Sequence, residues 1–459
     1  MTSDQKDLDM AKRLAEKVCE RGGRAYFVGG YVRDKLLQIE NKDIDIEVHG
    51  VDAASLAEIL DSLGERYSMG ESFGIFALKG YGLDIAMPRK ERAIGTGHRD
   101  FETFSDPFIG TYEAAKRRDF TIGALMMDVL TEEVIDHFGG VRDLENKVLR
   151  HVCTETFTED PLRVLRLAQF AARFAFSPDG QTIELCRTMG LSHLSRERVW
   201  EELRKALLKA QKPSVFFEVL RRAHRLGEWF PEVEALIGVE QNSVYHAEGD
   251  VFTHTMMVLD EAAKYRDEVS DPFGFMLTAL CHDFGKAICT KVIDGKLCSH
   301  GHETRGLPLV ERFLRRLTNE TKLIAYILNL TEHHMRPNAI AAFGSSVKAT
   351  NKMFDSVSAP KDLFFFAKAD HFGRICEKSS VFHEEFLTER LHIYEELMKT
   401  PHVMGKDLLA AGLQPSPAFS DLLAYAHKLR LSCVGKEEAL KQTLAYAKER
   451  ERALAKRKR

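Results

Sequence analysis

Several features are missing from this sequence of 459 residues, and each absence narrows the class of protein. No apolar run is long enough to span a bilayer, and the charged N-terminus lacks the apolar core of a signal peptide, so we expect no membrane partner. The 8 cysteines form no Cys-x-x-Cys pair and are expected to be reduced thiols of a cytoplasmic protein. The formal net charge is small, at −4. This does not exclude a nucleic-acid partner, because binding requires only local basic patches.

The chain contains two regions of different pattern, without internal repeats or low-complexity segments. At about 100–200 residues per domain, its length predicts about two to four domains. Strand-like runs separated by Gly and Asp occupy residues up to about 152, and helical periodicity continues from Glu159 almost to the end. The predicted fold class is therefore α+β, with a mixed sheet and helices in the head and an all-α body.

The expected elements define four domains. The predicted strands are Ala25–Val28, Ile44–Val48, Gly74–Leu78, Leu83–Ala86 and Val134–Asp136, with a helix at Ala53–Leu63. The predicted body helices are Pro161–Phe176, Ser195–Ala210, Pro213–Leu226, Val251–Arg266, Phe273–Leu280, Glu303–Leu317 and Asp362–Asp370. With junctions near Gly238–Gly249 and Pro401–Gly405, we expect a head (1–152), a helical neck (153–238), a second domain (239–400) and a helical tail (401–459).

A glycine pair followed by two spaced aspartates is the most informative motif. The segment Gly29–Asp34 reads Gly-Gly-Tyr-Val-Arg-Asp and lies between a predicted strand and a short helix, and Asp43 and Asp45 follow it. Alternate strand residues point the same way, so these carboxylates share a face and repel unless a cation lies between them. Beside the free N–H groups of a glycine turn, they predict a site for a metal-bound triphosphate. Asp-x-Asp alone more often marks a solvated strand end, but the glycine motif at this distance favours nucleotidyl transfer.

Two more segments supply candidate groups for that transfer. Asp84 lies on a neighbouring predicted strand, where two-metal transfer usually has a third catalytic carboxylate, and a plain strand-edge aspartate is an equally good interpretation. Arg118 and Asp119 lie within Lys-Arg-Arg-Asp-Phe-Thr, before an apolar helix start. Guanidinium groups bind phosphate oxygens bidentately, so Arg118 is assigned to the phosphates or ribose of a nucleotide. Alternatively, Arg118 and Asp119 simply pair with each other.

The segment Glu159–Gln169 reads Glu-Asp-Pro-Leu-Arg-Val-Leu-Arg-Leu-Ala-Gln. Asp160 before a proline predicts a helix start, and Arg163 and Arg166 recur three residues apart on one helix face. An aspartate can accept from the amine of a base and an arginine can donate to its ring nitrogen or carbonyl, which would select a base without a template. From the spacing alone, an N-cap with a surface arginine ladder is the better interpretation.

In this order and at these intervals, the motifs resemble those of the bacterial CCA-adding tRNA nucleotidyltransferases, the group shared with bacterial poly(A) polymerases. The segments Arg150–Val152, Phe170–Phe174 and Ser195–Glu202 resemble the same family, so the likeness covers nearly the whole chain. The resemblance implies a polymerase-beta-like head with Mg²⁺ on Asp43 and Asp45. It also implies tRNA, CTP and ATP as partners.

The resemblance further implies which residues bind the nucleotide. Gly30, Arg33 and Arg118 would contact it, and Asp160 and Arg163, with Arg166 nearby, would select CTP and ATP. The expected nucleotide-binding residues are Gly29, Gly30, Arg33, Asp34, Arg118, Asp119, Asp160, Arg163, Arg166 and Gln169.

Two positions depart from the family pattern. Gly123 stands where the family usually has Asn, and Gln169 stands where some relatives carry an arginine. The lost amide at Gly123 removes a polar group that could contact the ribose or influence nucleotide preference. In this family, the segment 88–101 is a mobile loop that helps to switch specificity from C to A. These features leave open whether the chain adds CC, A or the full CCA.

A second cluster of ligand residues lies in the helical body. His254, the pair His282-Asp283 and Asp370 supply imidazole and carboxylate ligands for one or two divalent cations, which activate water for phosphoester hydrolysis. Gly285 would close the turn and Lys286 would bind the substrate phosphate. Any one of these histidines alone is more often a packing residue. The joint pattern resembles the HD phosphohydrolases, and related bifunctional proteins act on 2′,3′-cyclic phosphates and phosphomonoesters.

Additional histidines lie nearby in the sequence and could complete a second metal position or bind phosphate. They are His246, His300, His302, His333 and His334. The identity of the metal at this second centre is not predicted.

We therefore expect template-independent addition of C and A to the tRNA 3′ end, with a second, phosphohydrolase activity. The C-terminal segment Gly405–Pro417 resembles the element of the family near the tRNA elbow, and the basic end Lys448–Arg459 is more consistent with a solvated terminus than with an RNA contact. Alternatives are a CC-only, A-only or poly(A) enzyme, an HD phosphohydrolase with a decayed head, and an RNA-binding scaffold. The oligomeric state is not predicted.

Overall fold

A computed structural model describes residues 3–41, 43–68, 75–93, 101–376 and 381–457. The chain folds into two compact units, Met1–Pro231 and Glu232–Arg459. The predicted residue Gly74 and residues 94–100 of the expected specificity loop lie outside the described residues, as do Lys458 and Arg459 of the basic end. The flanks of that loop are described, and they pair as two antiparallel strands.

The first unit is built on a mixed sheet in the order β3-β4-β5-β2-β1-β8-β9. Its strands and the neighbouring hairpin are β1 (Arg24–Val28), β2 (Ile44–His49), β3 (Arg66–Ser68), β4 (Ile75–Leu78), β5 (Leu83–Ala86), β6 (Arg89–Ala93), β7 (Phe101–Ser105), β8 (Met126–Asp128) and β9 (Val134–Ile135). Only β2 and β5 run parallel in this sheet, and the other pairs are antiparallel. Ile44, Ile46 and Val48 of β2 are buried, which turns the alternate positions of that strand to the other face.

Helices cover this sheet and continue into the neck. They are α1 (Ser3–Glu20), α2 (Gly30–Leu36), α3 (Ala53–Leu63), α4 (Gly110–Lys116), α5 (Gly140–Glu145), α6 (Thr154–Thr158), α7 (Leu162–Phe174), α8 (Gly180–Arg187), α9 (Arg196–Lys209), α10 (Ser214–Arg222), α11 (Leu226–Trp229) and α12 (Pro231–Glu234), with a 3-10 turn at Thr121–Gly123 and a short pair β10 (Val148–Leu149) and β11 (Ser177–Pro178). Asp52 caps α3 by accepting the N–H of Ser55. Helix α7 buries an apolar stripe that includes Val164, Leu165 and Leu167.

The second unit is mainly helical. After the start of the unit its elements are α13 (Val251–Ala262), α14 (Pro272–Cys281), α15 (Lys286–Cys289), β12 (Lys291–Ile293), β13 (Lys296–Cys298), α16 (His302–Arg305), α17 (Leu307–Leu317), α18 (Thr321–His333), α19 (Arg336–Ala342), α20 (Val347–Asp355), α21 (Pro360–Phe372), α22 (Glu384–Lys399), α23 (Gly405–Ala410), α24 (Ala418–Leu431) and α25 (Lys436–Arg457). Asp250 and Asp271 cap α13 and α14, the helices that carry or precede the predicted second centre.

The structure corrects several predicted bounds. The single helix expected at Glu303–Leu317 is two helices, because Pro308 has no N–H to continue the first one. The helix from Val251 ends at Ala262 and continues as tight turns, in which Tyr265 donates to the carbonyl of Ala262. The helix of the neck ends at Phe174, because Ala175 adopts a left-handed φ of 54°.

Three smaller differences concern the predicted ends and the composition of the body. The helix from Pro213 starts at Ser214 and ends at Arg222, and Asp43 lies just before β2 rather than within it. The body is not purely helical, since β12 and β13 form an antiparallel hairpin. None of the helices in the described part of the chain combines the length and apolar composition needed to cross a membrane.

Candidate active sites

Three carboxylates meet on the open face of the sheet in the first unit. Asp45 on β2 lies opposite Asp84 on the parallel strand β5, and Asp43 precedes Asp45 by two residues. Burial raises the pKa of Asp45, the Arg118 guanidinium opposes this, and the charges of Asp84 and Asp43 raise the pKa further. The pKa of Asp45 is therefore raised overall, as expected for a partly buried carboxylate beside two other carboxylates. This donor set fits divalent cations, which prefer carboxylate oxygens.

The glycine turn lies directly beside these carboxylates. Gly29 has φ 63° and ψ −124°, a backbone conformation that favours glycine. A Cβ at Gly29 would lie 3.6 Å from Nη1 of Arg118 and 3.9 Å from Oδ2 of Asp45. The turn, the guanidinium and the carboxylate thus surround one small space, where a group able to bind a cation and a group able to bind phosphate lie beside the glycine backbone.

Glu47 also belongs to this group of charged residues, although no sequence motif predicted it. It is buried, and its carboxylate lies 2.9 Å from Nε2 of His49, 3.5 Å from Nη2 of Arg117 and 3.3 Å from Nη2 of Arg118. Burial alone raises the pKa of Glu47, but His49 and the two arginines outweigh it and lower the pKa to about 2. Glu47 therefore fixes Arg118 beside Asp45. The two-residue alternation Asp43, Asp45, Glu47 was the signal that could have identified it.

Arg33 and Asp34 lie inside the protein. The Arg33 guanidinium is 2.7 Å from Oδ1 of Asp34 and lies over the ring of Phe174 at 4.5 Å from its centroid. Asn41 donates to the other oxygen of Asp34 at 2.8 Å. Gly30 begins α2, with Nη2 of Arg33 3.6 Å from where a Cβ would be. These groups brace the short helix that follows the glycine turn.

The remaining predicted contacts join the head to the neck helices. Arg166 donates to Asp119 at 2.6 Å, and Arg163 donates to the carbonyls of Thr156 and Arg117 at 2.6 and 2.7 Å. Arginine charges outweigh burial and lower the pKa of Asp119. Arg118 and Asp119 thus do not pair with each other, and Arg163 is not part of a surface ladder.

Asp160 has two separate roles in the neck. Its Oδ1 accepts the N–H of Leu162, as an N-cap would, and its Oδ2 accepts from Nη2 of Arg198 at 2.7 Å. Arg198, on α9, was not identified as a site residue from the sequence. It fixes the orientation of the carboxylate that is predicted to read the base.

Gln169 and Gly123, the two positions that differ from the family pattern, both lie in the first unit. Gln169 is fully buried on α7, and neither atom of its amide has a hydrogen-bond partner among the described residues. A Cβ at Gly123 would lie 3.5 Å from Oδ1 of Asp119, an ordinary contact distance, so a Cβ fits there. The amide of an Asn at position 123 would therefore lie close to Asp119.

The four predicted ligands of the second unit converge in a buried cluster. Nε2 of His254 lies 3.4 Å from Oδ1 of Asp370 and 3.6 Å from Oδ2 of Asp283, and Nε2 of His282 lies 3.2 Å from that same Asp283 oxygen. His254, His282 and Asp370 form one group with metal-ligand spacing. Nε2 of His282 and both oxygens of Asp283 are buried without a well-formed hydrogen bond to any described residue. The Asp283 oxygens lie at ion-pair distance from Lys286 and from cluster histidines, and buried nitrogen and oxygen ligands gathered in this way fit a bound cation.

Glycines permit the close packing that forms this cluster. A Cβ on Gly373, three residues after Asp370, would lie 2.5 Å from Cα of Val258, which follows His254 by one helical turn. A Cβ on Gly285 would lie 2.1 Å from the carbonyl oxygen of His302. Gly285 lies at the end of the turn 282–285, as predicted, but its φ of −63° is ordinary, so glycine is required there for this close approach rather than for its backbone conformation.

Of the additional histidines, His302 and His334 join the cluster. Nε2 of His302 lies 3.1 Å from Oδ1 of Asp283 and 3.3 Å from Nε2 of His334. These three residues form a second group with metal-ligand spacing. Burial and the neighbouring histidines lower the pKa of His334 to about 3, so its imidazole is neutral and able to bind a metal. His333 instead contacts the carbonyl of Ser356 at 3.1 Å, outside the cluster.

Backbone carbonyls set the tautomer of three cluster histidines. Nδ1 lies 2.9 Å from the carbonyl of Ala279 in His282, 2.9 Å from that of Ser299 in His302, and 2.6 Å from that of Thr331 in His334. A carbonyl only accepts, so Nδ1 carries the proton and Nε2 presents a lone pair to the cluster.

A cavity of about 630 Å³ opens onto the cluster. Nζ of Lys286 lies in its wall, 2.7 Å from Oδ2 of Asp283 and 2.8 Å from Oε1 of Gln241. The segment predicted as a junction, Gly238–Gly249, also supplies Asn242, Tyr245 and His246 to the wall. The cavity therefore combines a cation-binding cluster, a lysine and amide groups, which suits a phosphate ester.

Two family models match the N-terminal half of the chain. Residues 25–150 match the family described as "Poly A polymerase head domain", and residues 175–237 match "Probable RNA and SrmB- binding site of polymerase A". The chain is 39% identical over 319 residues to a "Multifunctional CCA protein" of Psychromonas ingrahamii, covering 67% of this chain and 74% of that protein. It is 36% identical over 415 residues to one of Stenotrophomonas maltophilia, covering 88% of this chain and 98% of that protein.

Solved structures share the fold at lower identity. The Thermotoga maritima CCA-adding enzyme complexed with tRNA is 22% identical with a TM-score of 0.66, covering 97% of this chain and 96% of that one. A CCA-adding enzyme in complex with ATP is 20% identical with a TM-score of 0.68, covering 97% and 95%. At the identity and coverage of the multifunctional CCA proteins, the chain belongs to the family of bacterial CCA-adding tRNA nucleotidyltransferases.

Proposed function

We propose that the first unit adds C and A to the 3′ end of tRNA, from CTP and ATP and without a template. The observation that carries this proposal is the convergence of Asp45, Asp84 and Arg118 beside the Gly29 turn. The names of the relatives support it, since they are called multifunctional CCA proteins and one solved neighbour is complexed with tRNA. We assign catalysis to Asp43, Asp45 and Asp84.

Asp43, Asp45 and Asp84 would hold Mg²⁺, which lowers the pKa of the attacking 3′-hydroxyl and stabilises charge on the triphosphate. Arg118 binds phosphate oxygens and is held in place by Glu47, while N–H groups of the Gly29 turn add neutral donors. The hydroxyl loses its proton to solvent and its oxygen forms the new bond to the α-phosphorus, while the bond from the α-phosphorus to its bridging oxygen breaks and pyrophosphate leaves.

Base selection is assigned to the neck. Asp160 would accept from the amine of cytosine or adenine, and Arg198 fixes the orientation of its carboxylate. Arg163 is tied to backbone carbonyls, so a direct contact with the base requires it to exchange those partners. Gln169 and Arg166 line the same helix and complete the proposed site with Asp119.

Extension of three RNA substrates tests this function. They are tRNA without CCA, tRNA ending in C and tRNA ending in CC, each with CTP, ATP or both. Full extension to CCA is the expected result, and no extension of any substrate would refute the proposal. Extension of the CC form alone would identify an A-adding enzyme, addition of C alone a CC-adding enzyme, and long A tails a poly(A) polymerase.

We infer a second activity, hydrolysis of phosphate esters, from the buried cluster of the second unit. His254, His282, Asp283 and Asp370 would hold a divalent cation, and His302 and His334 extend the ligand set toward a second ion. Such ions supply an activated water, and Lys286 binds the substrate phosphate. Release of phosphate from a 2′,3′-cyclic or monoester nucleotide, measured with Mg²⁺, Mn²⁺, Co²⁺ or Ni²⁺, tests this activity; no release with any of these metals would contradict it.

A further inference from the structure

Glu248 lies at the centre of contacts behind the second cluster and has no role in the functions described so far. Its side chain is only 1% exposed, and Oε1 lies 2.8 Å from Nδ1 of His246 and 3.1 Å from Nδ1 of His254. Its other oxygen, Oε2, accepts the N–H of Ile375 at 2.8 Å. A buried carboxylate with two imidazole neighbours and one backbone donor is a built arrangement rather than a solvated surface charge.

The three partners come from the three segments that form the cavity and its metal ligands. His246 lies in the cavity wall, His254 is a ligand on α13, and Ile375 follows the end of α21, which carries Asp370. The N–H of Ala247 also donates to the carbonyl of Ile375 at 2.7 Å, which strengthens this connection. Glu248 thus joins two ligand-bearing helices through its own carboxylate.

His254 depends on this carboxylate for its tautomer. His282, His302 and His334 each donate Nδ1–H to a backbone carbonyl, but Nδ1 of His254 has no partner among the described residues apart from the oblique contact with Glu248. A carboxylate accepts Nδ1–H, leaves the lone pair on Nε2 and makes the imidazole a stronger metal ligand.

We propose that Glu248 is a positioning residue of the second metal centre, which orients His254 as a ligand and holds His246 in the cavity wall. This inference rests on the proposed hydrolytic centre. A glutamine cannot replace Glu248, because an amide oxygen turned toward the two histidines leaves its NH₂ facing the N–H of Ile375. With the amide reversed, its NH₂ faces the two Nδ1–H groups instead.

Asp362 offers a matched control for a purely structural carboxylate. It is 1% exposed on α21, the helix that also carries Asp370, and it accepts hydrogen bonds from Ser270 and Tyr326. It contacts no cluster histidine in any described interaction. Asp362→Asn therefore disturbs a buried carboxylate of the same unit without removing a partner of a ligand.

Binding of Co²⁺ by the full-length chain tests the proposal. The chain carries Asp43→Asn and Asp45→Asn so that the first centre does not bind the probe, and affinity is measured by competition with a coloured chelator. Relative to this parent, Glu248→Gln is expected to weaken Co²⁺ binding about 10- to 100-fold, and Asp362→Asn is expected to leave it unchanged. Thermal unfolding without metal shows whether each variant folds.

The outcomes distinguish failure of the positioning role of Glu248 from failure of the proposed metal centre. If Glu248→Gln binds Co²⁺ as tightly as the parent, or Asp362→Asn weakens binding as much, the positioning role of Glu248 is wrong while the metal centre stands. A parent that binds no Co²⁺ overturns both. If Glu248→Gln does not fold, Glu248→Asp replaces it; this variant keeps the charge but shortens the reach to the histidines, and the same order of affinities is expected.

Discussion

Asp84 lies directly opposite Asp45 across the parallel strands β5 and β2. The parallel pair brings together two carboxylates that are separated by more than thirty residues in the sequence. Because alternate residues Leu83 and Ile85 are buried, Asp84 points away from the core and toward the face that carries Asp45. This pairing favours the catalytic interpretation of Asp84 over that of a strand-edge aspartate.

Asp84→Asn is therefore expected to reduce tRNA extension by at least about a hundredfold, since a metal ligand contributes several kcal/mol to stabilisation of the transition state. The measurement is the single-turnover rate of CMP addition. Asp128→Asn, which alters a buried carboxylate of the same sheet paired with Arg24, is the control and should keep most of the rate. Equal rates for Asp84→Asn and the wild-type protein would show that Asp84 is not a catalytic residue.

The two centres should be separable by mutation. Asp45→Ala is expected to abolish tRNA extension and to leave phosphate release from a cyclic-phosphate substrate intact, because the ligands of the two centres lie in different compact units. Asp283→Ala should have the opposite effect. Both activities are assayed on the same preparations, with folding verified by circular dichroism. A folded variant that loses both activities would argue against two independent centres.

Arg198→Ala should relax base selection. Loss of the 2.7 Å contact leaves the Asp160 carboxylate free to rotate, which weakens its hydrogen bond to the base amine. Discrimination against UTP and GTP is expected to fall about tenfold, within the range of about 1–3 kcal/mol for a base contact. The measurement is kcat/KM for each nucleotide. Arg196→Ala, two residues earlier on α9, should retain wild-type selectivity, and identical selectivity of both variants would contradict this role.

The buried Glu47 predicts a pH-dependent contribution to stability. Its pKa is about 2 in the folded protein and 4.5 for the ordinary group, so its stabilising effect is complete above about pH 4.5 and is lost as pH falls toward 2. Glu47→Gln should lower the free energy of unfolding by about 3 kcal/mol at pH 7. Urea unfolding of both proteins measures this, and the difference should shrink between pH 4.5 and 3. A difference that stays constant over this range would show that the charge is not responsible.

Gly123→Asn restores the amide that the family usually has beside Asp119. The position has space, since a Cβ there would lie 3.5 Å from Oδ1 of Asp119. We expect the variant to fold normally and to lower KM for CTP or ATP several-fold through a new contact with the ribose. Gly123→Ala, which adds a Cβ without an amide, is the control. If both variants have the same KM as wild type, the glycine has no bearing on nucleotide binding.

Sequence motifs identified the groups that approach each other through regular geometry. The four ligands His254, His282, Asp283 and Asp370 lie within ion-pair distance of one another, whereas Asp43, expected on one strand face with Asp45, lies just before β2. The five predicted strands of the head match β1, β2, β4, β5 and β9 to within about a residue, because apolar alternation and glycine punctuation define them locally. The strands β3, β6, β7 and β8 were not predicted.

Contacts between distant segments could not be predicted in this way. Arg166 pairs with Asp119 because the neck packs against the head, and Arg198 pairs with Asp160 because two neck helices, α7 and α9, pack against each other. Glu248 lay in a segment assigned as a junction, since its loop has no periodic pattern, yet its buried carboxylate contacts His254 and the distant N–H of Ile375. Pro308 and Ala175 ended helices that hydrophobic periodicity alone would have extended.

The difference in burial between the two ligand sets affects how long each retains its ions. Asp43 and Asp84 are exposed and Asp45 is half-buried, whereas Asp283 and Asp370 are only 1% and 7% exposed. An ion on the first set exchanges directly with solvent and can arrive with each nucleotide, but an ion on the second must pass the cavity wall and the positive charge of Lys286. Brief treatment with a chelator should therefore empty the first set while the second stays loaded, so the metal content of a purified sample reports mainly on the buried centre.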